Sequence, residues 1–383
     1  MDLLADPVRI KRLDLDYMSI EISPRHDGRR ADDSGSSFQH EIPVFVVQKL
    51  VADGAVLRIH SKNPDKEPLE FELHELRMET VGPESPMSFE ALLDNATPPG
   101  LIETRGIFGP LTLPDPGASP VSGEYLFEEA DLSVFGGIGG TLHSQGKYSG
   151  ILERIAVEGY TEVPDFHLKQ VGTSVSLRTD FAAVVDGTSG DTFLEPVDVQ
   201  IEDSRFKATG AVAKKPGKSG KTVELDARGA HARIEDFLKL AVKSQQPLLT
   251  GELLFESRIL IPSGKMDILE KLYLEGRFEI QSTEFPHPEV QEKVNLLSEL
   301  GRGDRPKREG PDPQAVVSDI AGDFVLKDGV LEIENLLFQV PGATVDLLGH
   351  YSLLSEEVDF RGELTTDAKV SQMTGGIKSL LLK

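Results

Sequence analysis

The sequence predicts a mainly β protein: a long, twisted antiparallel meander with two or three short helices. Three observations predict it. Apolar and polar residues alternate in run after run, tight-turn dipeptides sit between or beside the runs, and glycine (36) and proline (24) are frequent enough to supply many turns.

The alternation is strictest in Leu69-Glu-Phe71-Glu-Leu73. Period two sets one face of a strand against an apolar layer and the other against water. Val175-Ser-Leu177, Val223-Glu-Leu225, Leu331-Glu-Ile333 and Val345-Asp-Leu347 repeat it. Asp53-Gly54, Asp186-Gly187 and Asp328-Gly329 offer the positive φ angles of tight hairpins, and Phe324 to Ile333 reads as one. A Gly-x-aromatic pattern recurs at Gly123/Tyr125, Gly146/Tyr148, Gly276/Phe278, Gly322/Phe324 and Gly349/Tyr351. At a strand start the glycine allows a bend, and the aromatic packs across neighbouring strands. The spacing is irregular, which excludes a fixed-period repeat.

Helical periodicity appears over 234–243, where Ile234, Phe237, Leu238 and Val242 share a face. It appears again over 288–300, opened by Pro288 and stopped by Gly301. A third helix is expected over 375–383. Arg25 to Ser37, the proline-rich Gly109 to Gly123, and the charged Arg302 to Pro313 read as loops. The chain divides into an N-terminal β segment over 1–120, continuous with a β region over 121–383 that carries the helices.

A net charge of −24 repels nucleic acid and anionic headgroups alike, so no nucleic-acid partner is expected. No stretch reaches the roughly 18 apolar residues that a spanning helix needs, and Met1 to Ile10 lacks a signal-peptide core. Any export or anchor segment is therefore expected outside this chain. With no cysteine there is no disulfide, thiolate metal site or cysteine nucleophile.

Several motifs tempt and fail. Lys214 to Thr222 resembles a phosphate loop but lacks its first glycine and is followed by a strand pattern, so it reads as a hairpin tip. Phe135 to Gly140 misses the dinucleotide spacing and reads as a tightly packed or bulged strand. Arg302-Gly303-Asp304 is a chance tripeptide. The nine histidines show no helical metal spacing, and no Gly-x-Ser-x-Gly elbow is present. No catalytic residue, metal or cofactor is expected. A carbohydrate-active protein stays open, because its two acids need not be neighbours in sequence. So does a purely structural scaffold.

An apolar sheet face must be buried, and two short helices cannot cover a sheet built from most of this chain. Either the sheet packs on itself or it keeps an apolar trough that something else fills. Val175, Leu177, Leu253, Phe255, Leu272, Leu274, Phe278, Ile280, Leu331, Ile333, Val345 and Leu347, taken from alternating runs, are the candidate lining.

Four blocks carry a family resemblance: Pro120 to Leu142, running on through Gly146 to Gly159 and Val163 to Phe166; Val185 to Thr192; Val340 to Tyr351 followed by Val358 to Leu364; and Thr374 to Lys383. Together they resemble the AsmA-like bacterial envelope family, in the branch with larger bridge-like lipid-transfer relatives. The resemblance covers about 100–383. It implies a periplasmic body hung from one inner-membrane helix, a long curved β-sheet with an apolar groove, and a part in envelope lipid homeostasis or transfer. Phospholipid and envelope proteins would be its partners. The family has no catalytic motif, so no catalytic residue carries over. The anchor helix is not among these residues, and the family usually continues beyond the position of Lys383, so the resemblance implies a fragment.

Overall fold

The computed structural model describes residues 8–24, 45–63, 66–169, 171–218, 220–244, 246–303 and 316–368. Among them are twenty strands. The N-terminal stretch holds β1 (Val8–Ile10), β2 (Leu13–Ile22), β3 (Phe45–Ile59), β4 (Leu69–Val81), β5 (Met87–Ala96) and β6 (Pro99–Phe108). Next come β7 (Pro120–Asp131), β8 (Ile138–Gly139), β9 (Thr141–Ile151), β10 (Arg154–Leu168), β11 (Val175–Val185), β12 (Thr192–Ile201), β13 (Ser204–Lys214) and β14 (Lys221–Arg233). The rest are β15 (Thr250–Ile261), β16 (Tyr273–Glu284), β17 (Ser318–Lys327), β18 (Val330–Val340), β19 (Ala343–Ser352) and β20 (Val358–Thr366). Three short helices are inserted: α1 (Ile234–Ala241), α2 (Ile268–Lys271) and α3 (Pro288–Arg302). The expected helix over 375–383 and the expected loop Arg25 to Ser37 lie outside the described residues, as does most of Arg302 to Pro313.

From β3 to β20 each strand pairs antiparallel with the next, except that β7 pairs with β9 and the two-residue β8 extends β9 along β10. β1 and β2 lie end to end along β3, both parallel to it, so the sheet is mixed rather than wholly antiparallel. The sheet does not close. Counting β1/β2 and β8/β9 as single rungs leaves eighteen. At about 4.8 Å per step the ribbon runs roughly 80 Å along its hydrogen-bonding direction. β6 and β7 pair on either side of residue 120, so the sheet is unbroken there.

Two turn signals read differently in three dimensions. Asp53-Gly54 is no hairpin: it lies within β3, with Gly54 at φ 75° opposite Tyr17 at φ 58°, and the chain runs on. Pro120 to Gly123, expected as loop, opens β7, because Val121 to Gly123 find ladder partners in both β6 and β9. By contrast Asp328 (φ 52°) and Gly329 (φ 73°) form the expected tight turn between β17 and β18.

Following the register across the ribbon separates two faces, because directly paired residues share a side. One row runs Ala55, Leu73, Leu93, Ile102, Phe127, Ser144, Thr161, Thr179 and Val199. Another runs Ala227, Ser257, Gly276, Phe324, Ile333, Gly349 and Phe360. This is the inner face, because α1 lies on it: the Phe237 ring sits 5.8 Å from Phe206 and 5.4 Å from Phe255, centre to centre. The outer face carries charge in ladders. Arg77, Glu90, Arg105, Glu124, Lys147 and Glu158 are paired in succession across six strands, alternating in sign at every step. Each exposed pair contributes only about 0.2–1 kcal/mol, so the ladder matters more for register than for stability. A one-residue slip would send every acid and base of a strand to the inner face.

Accumulated twist brings distant rungs together. At about 20–25° per strand, seven steps turn the strand direction by roughly 140–175°, so one end of a rung meets the opposite end of a rung about seven further on. Two seams form this way. In the first, the β3–β4 connection reaches the connections after β6, β9 and β11: Lys62 Nζ lies 2.7 Å from Asp115 and 2.9 Å from Glu153, and Lys66 Nζ 2.7 Å from Asp191. In the second, the segments after β7 and β10 meet α2 and the ends of β17–β19. Ile268 N donates to Gly136 O at 3.2 Å, and Val171, Leu269, Leu326 and Leu353 form one buried cluster. The first seam is polar and the second mainly apolar. Burying a Leu or Val side chain contributes about 1.5–3 kcal/mol, against about 0–1 for an exposed ion pair, so the second seam is the firmer.

Candidate functional site

Eleven of the twelve candidate lining residues fall on the inner face. Val175 and Leu177 are on β11, Leu253 and Phe255 on β15, and Leu274, Phe278 and Ile280 on β16. Leu331 and Ile333 are on β18, and Val345 and Leu347 on β19. The register joins four of them directly, Leu253 to Ile280 and Phe255 to Phe278, and pairs Val345 with Phe338. Leu272 is the exception. It caps the C-terminal end of α2, with its amide donating to Ile268 O at 2.8 Å.

Depth divides the set. Val175, Leu253 and Ile280 are 1%, 5% and 4% exposed, so they are core. Val175 opens β11, and Leu253 and Ile280 lie in the cluster that receives Ile234 and Phe237 from α1. Leu272, Leu274 and Leu331 pack into the second seam, and Val345 packs with α3. Leu177, Ile333 and Leu347 belong to none of these clusters and remain half-buried. The inner face is thus covered in part by the helices and seams, while these three residues keep part of their surface exposed.

Sequence reasoning missed several lining residues. Phe206, Phe324, Leu336 and Tyr351 share the face, as do Phe71, Phe89 and Leu93 towards the N-terminus. The Gly-x-aromatic pattern was a usable signal. It lies in mid-strand rather than at strand starts, and two copies paired antiparallel place each glycine beneath an aromatic. Gly276 faces Phe324 while Phe278 faces Gly322; Gly123 faces Tyr148 while Tyr125 faces Gly146. A Cβ on Gly322 would stand 3.2 Å from Phe278 Cε1, so the ring lies against the bare backbone.

From β6 to β10 the inner face changes character. Thr104, Tyr125, Ser144, Tyr148 and Thr161 form a hydroxyl belt between apolar stretches. Thr104 Oγ1 donates to Glu124 O at 3.0 Å and lies 2.7 Å from Tyr148 Oη. Ser144 Oγ donates to Tyr160 O at 2.9 Å, accepts from Thr161 at 3.1 Å and lies 3.1 Å from Tyr125 Oη. Burial raises the pKa of both tyrosines above the ordinary phenol value, offset in part by hydrogen bonds with Ser144 and Thr104.

The first seam holds the densest charge. Asp191 is 7% exposed, and Lys66 also donates to Ser189 at 3.0 Å. Burial alone would raise the Asp186 and Asp191 carboxyls. Hydrogen bonds from Thr188 and Ser189 to Asp186, from Lys66 and the Lys214 amide to Asp191, and the Lys66 charge hold both below the ordinary value. Burial lowers the pKa of Lys221, whose ammonium donates to Gly190 O. On the outer face, a crevice of about 880 Å³ is lined by Glu75, Arg77, Glu90, Arg105, Glu124 and Glu158 among others. There Arg77 pairs with Glu75 and Arg105 with Glu124, both in contact with water.

Among the described residues no group of three or more His, Asp or Glu is placed to hold a metal ion, and no helix is long and apolar enough to cross a membrane. Compared with known proteins, the chain matches no family model, no curated sequence and no solved structure.

Proposed function

We propose that this chain is a non-catalytic, AsmA-like segment of the bacterial envelope that binds phospholipid acyl chains along its inner β face. In this reading it lies in the periplasm, is tethered to the inner membrane by a segment outside the chain, and serves envelope lipid homeostasis. One observation carries the proposal: the largely apolar face from β11 to β19 leaves Leu177, Ile333 and Leu347 only half-buried. A self-packed core would bury such residues, whereas hydrocarbon chains laid along the ribbon would complete their contacts. The sequence resemblance supplies the envelope context.

Native mass spectrometry of protein purified gently from a bacterial envelope tests this. Bound phospholipid is expected. Ile333→Asp and Leu347→Asp are expected to fold and to lose it, because a carboxylate is poorly tolerated against hydrocarbon. Lipid-free wild-type protein, together with unfolding of both variants, would leave a self-packed scaffold instead.

A further inference from the structure

The geometry points to the hydroxyl belt as a binding site for an ammonium group, the headgroup of a zwitterionic lipid whose chains lie in the trough. This inference rests on the lipid reading and assigns the headgroup that the trough prefers.

The argument begins with protons. Thr104 spends its one hydroxyl proton on Glu124 O, so in the Thr104–Tyr148 pair the tyrosine must be the donor. Ser144 spends its proton on Tyr160 O and accepts from Thr161, so Tyr125 must donate to Ser144. All five hydroxyl protons are therefore committed within the belt. What remains for a ligand is acceptor capacity, chiefly lone pairs on the two phenol oxygens. A phosphate, which only accepts, finds no free hydroxyl donor here; an ammonium, which only donates, finds two acceptors.

The rings add a second contribution. To reach Thr104, Tyr148 must lie across β7: a Cβ on Gly123 would stand 2.6 Å from its Oη and 2.7 Å from its Cζ. Tyr125 likewise crosses Gly146, whose Cβ would stand 2.9 Å from Cε1. A ring lying along the sheet turns one face to the backbone and the other to the trough. That outward face is the negative face of the ring quadrupole and attracts cations. Both tyrosines are half-buried, so a headgroup can reach them while water is partly excluded.

The test is competition between phosphatidylethanolamine and phosphatidylglycerol with identical acyl chains, offered as mixed vesicles and read by native mass spectrometry. Wild type is expected to favour the ethanolamine lipid about five- to tenfold, the range of one partly desolvated cation–π contact. Tyr125→Phe/Tyr148→Phe, which keeps the rings and removes the oxygens, is expected to narrow the preference. Tyr125→Leu/Tyr148→Leu is expected to abolish it, with bound ethanolamine lipid falling to the level of the glycerol lipid. Equal binding of the two lipids by wild type overturns the headgroup site and leaves the lipid trough standing. An undiminished preference in the leucine pair also overturns it, because the net charge of −24 would then account for the bias. Absence of either lipid overturns both readings. Should the leucine pair fail to fold, the wild-type ratio and the phenylalanine pair still decide.

Discussion

Lys66 and Asp191, 125 residues apart in sequence, form a 2.7 Å ion pair across the first seam. They come from opposite ends of rungs about seven steps apart, so the pair exists only because the ribbon has turned by roughly half a circle. The Lys66 side chain is 22% exposed and that of Asp191 10%, which shields the pair from salt more than a surface bridge.

Lys66→Ala strips the buried Asp191 of its main counter-charge. Removing one partner of a fully buried pair costs about 3–5 kcal/mol. Partial exposure reduces that to about 1–2 kcal/mol here. The loss is expected to appear in hydrogen exchange, as faster exchange confined to the amides of 60–68 and 186–191. Uniform protection across the chain would show that the seam does not depend on this pair.

Acid should open the same seam. Asp186 and Asp191 have folded pKa values below their ordinary ones, so the stability they contribute is fully present above the unfolded value of about 3.9 and lost as pH falls through the folded values. Thermal unfolding followed from pH 6 downwards should therefore show a decline that steepens below about pH 4. Asp191→Asn should start from a lower melting temperature and decline less steeply. A parallel acid profile for that variant would count against the assignment.

The apolar seam should be the costlier to break. Leu269, 4% exposed on α2, touches the cluster of Val171, Leu326 and Leu353. Leu269→Ala is expected to cost about 2–4 kcal/mol, mostly as a cavity between rungs far apart in sequence. Chemical denaturation measures it, and a cost below that of Lys66→Ala would reverse the ranking of the two seams.

Gly322→Ala puts a methyl group where the Phe278 ring lies and is expected to cost about 1–3 kcal/mol through displacement of the ring. In a Phe278→Ala background the same change should cost less, though not nothing, since Asn335 O would also stand 2.8 Å from the new Cβ. Equal costs in both backgrounds would show that the ring and the glycine are not coupled.

Much of this architecture was legible because period two is a local property. Leu177, Ile333 and Leu347 could be assigned to the apolar side from their neighbours alone. Asp53-Gly54 misled because a positive φ can occur inside a continuing strand as well as at a reversal, and the dipeptide does not say which. The Lys66–Asp191 contact left no local trace at all, since it depends on twist summed over many strands. The hydroxyl belt falls between these cases. Each of its residues alternates correctly in its own strand, but their meeting needs the register of four strands at once.

Because almost every strand after β3 pairs with its immediate predecessor, the sheet can grow in one direction as the chain emerges during synthesis, each new strand docking on the last edge formed. No strand has to be threaded between two already joined, so most of the ladder avoids the loop-closure cost that slows non-local β topologies. The seams are the exception: each can close only after about seven further rungs are in place. Assembly is thus expected to proceed as a zipper punctuated by two delayed latches, with the apolar face accessible to a passing amphiphile until the latches shut.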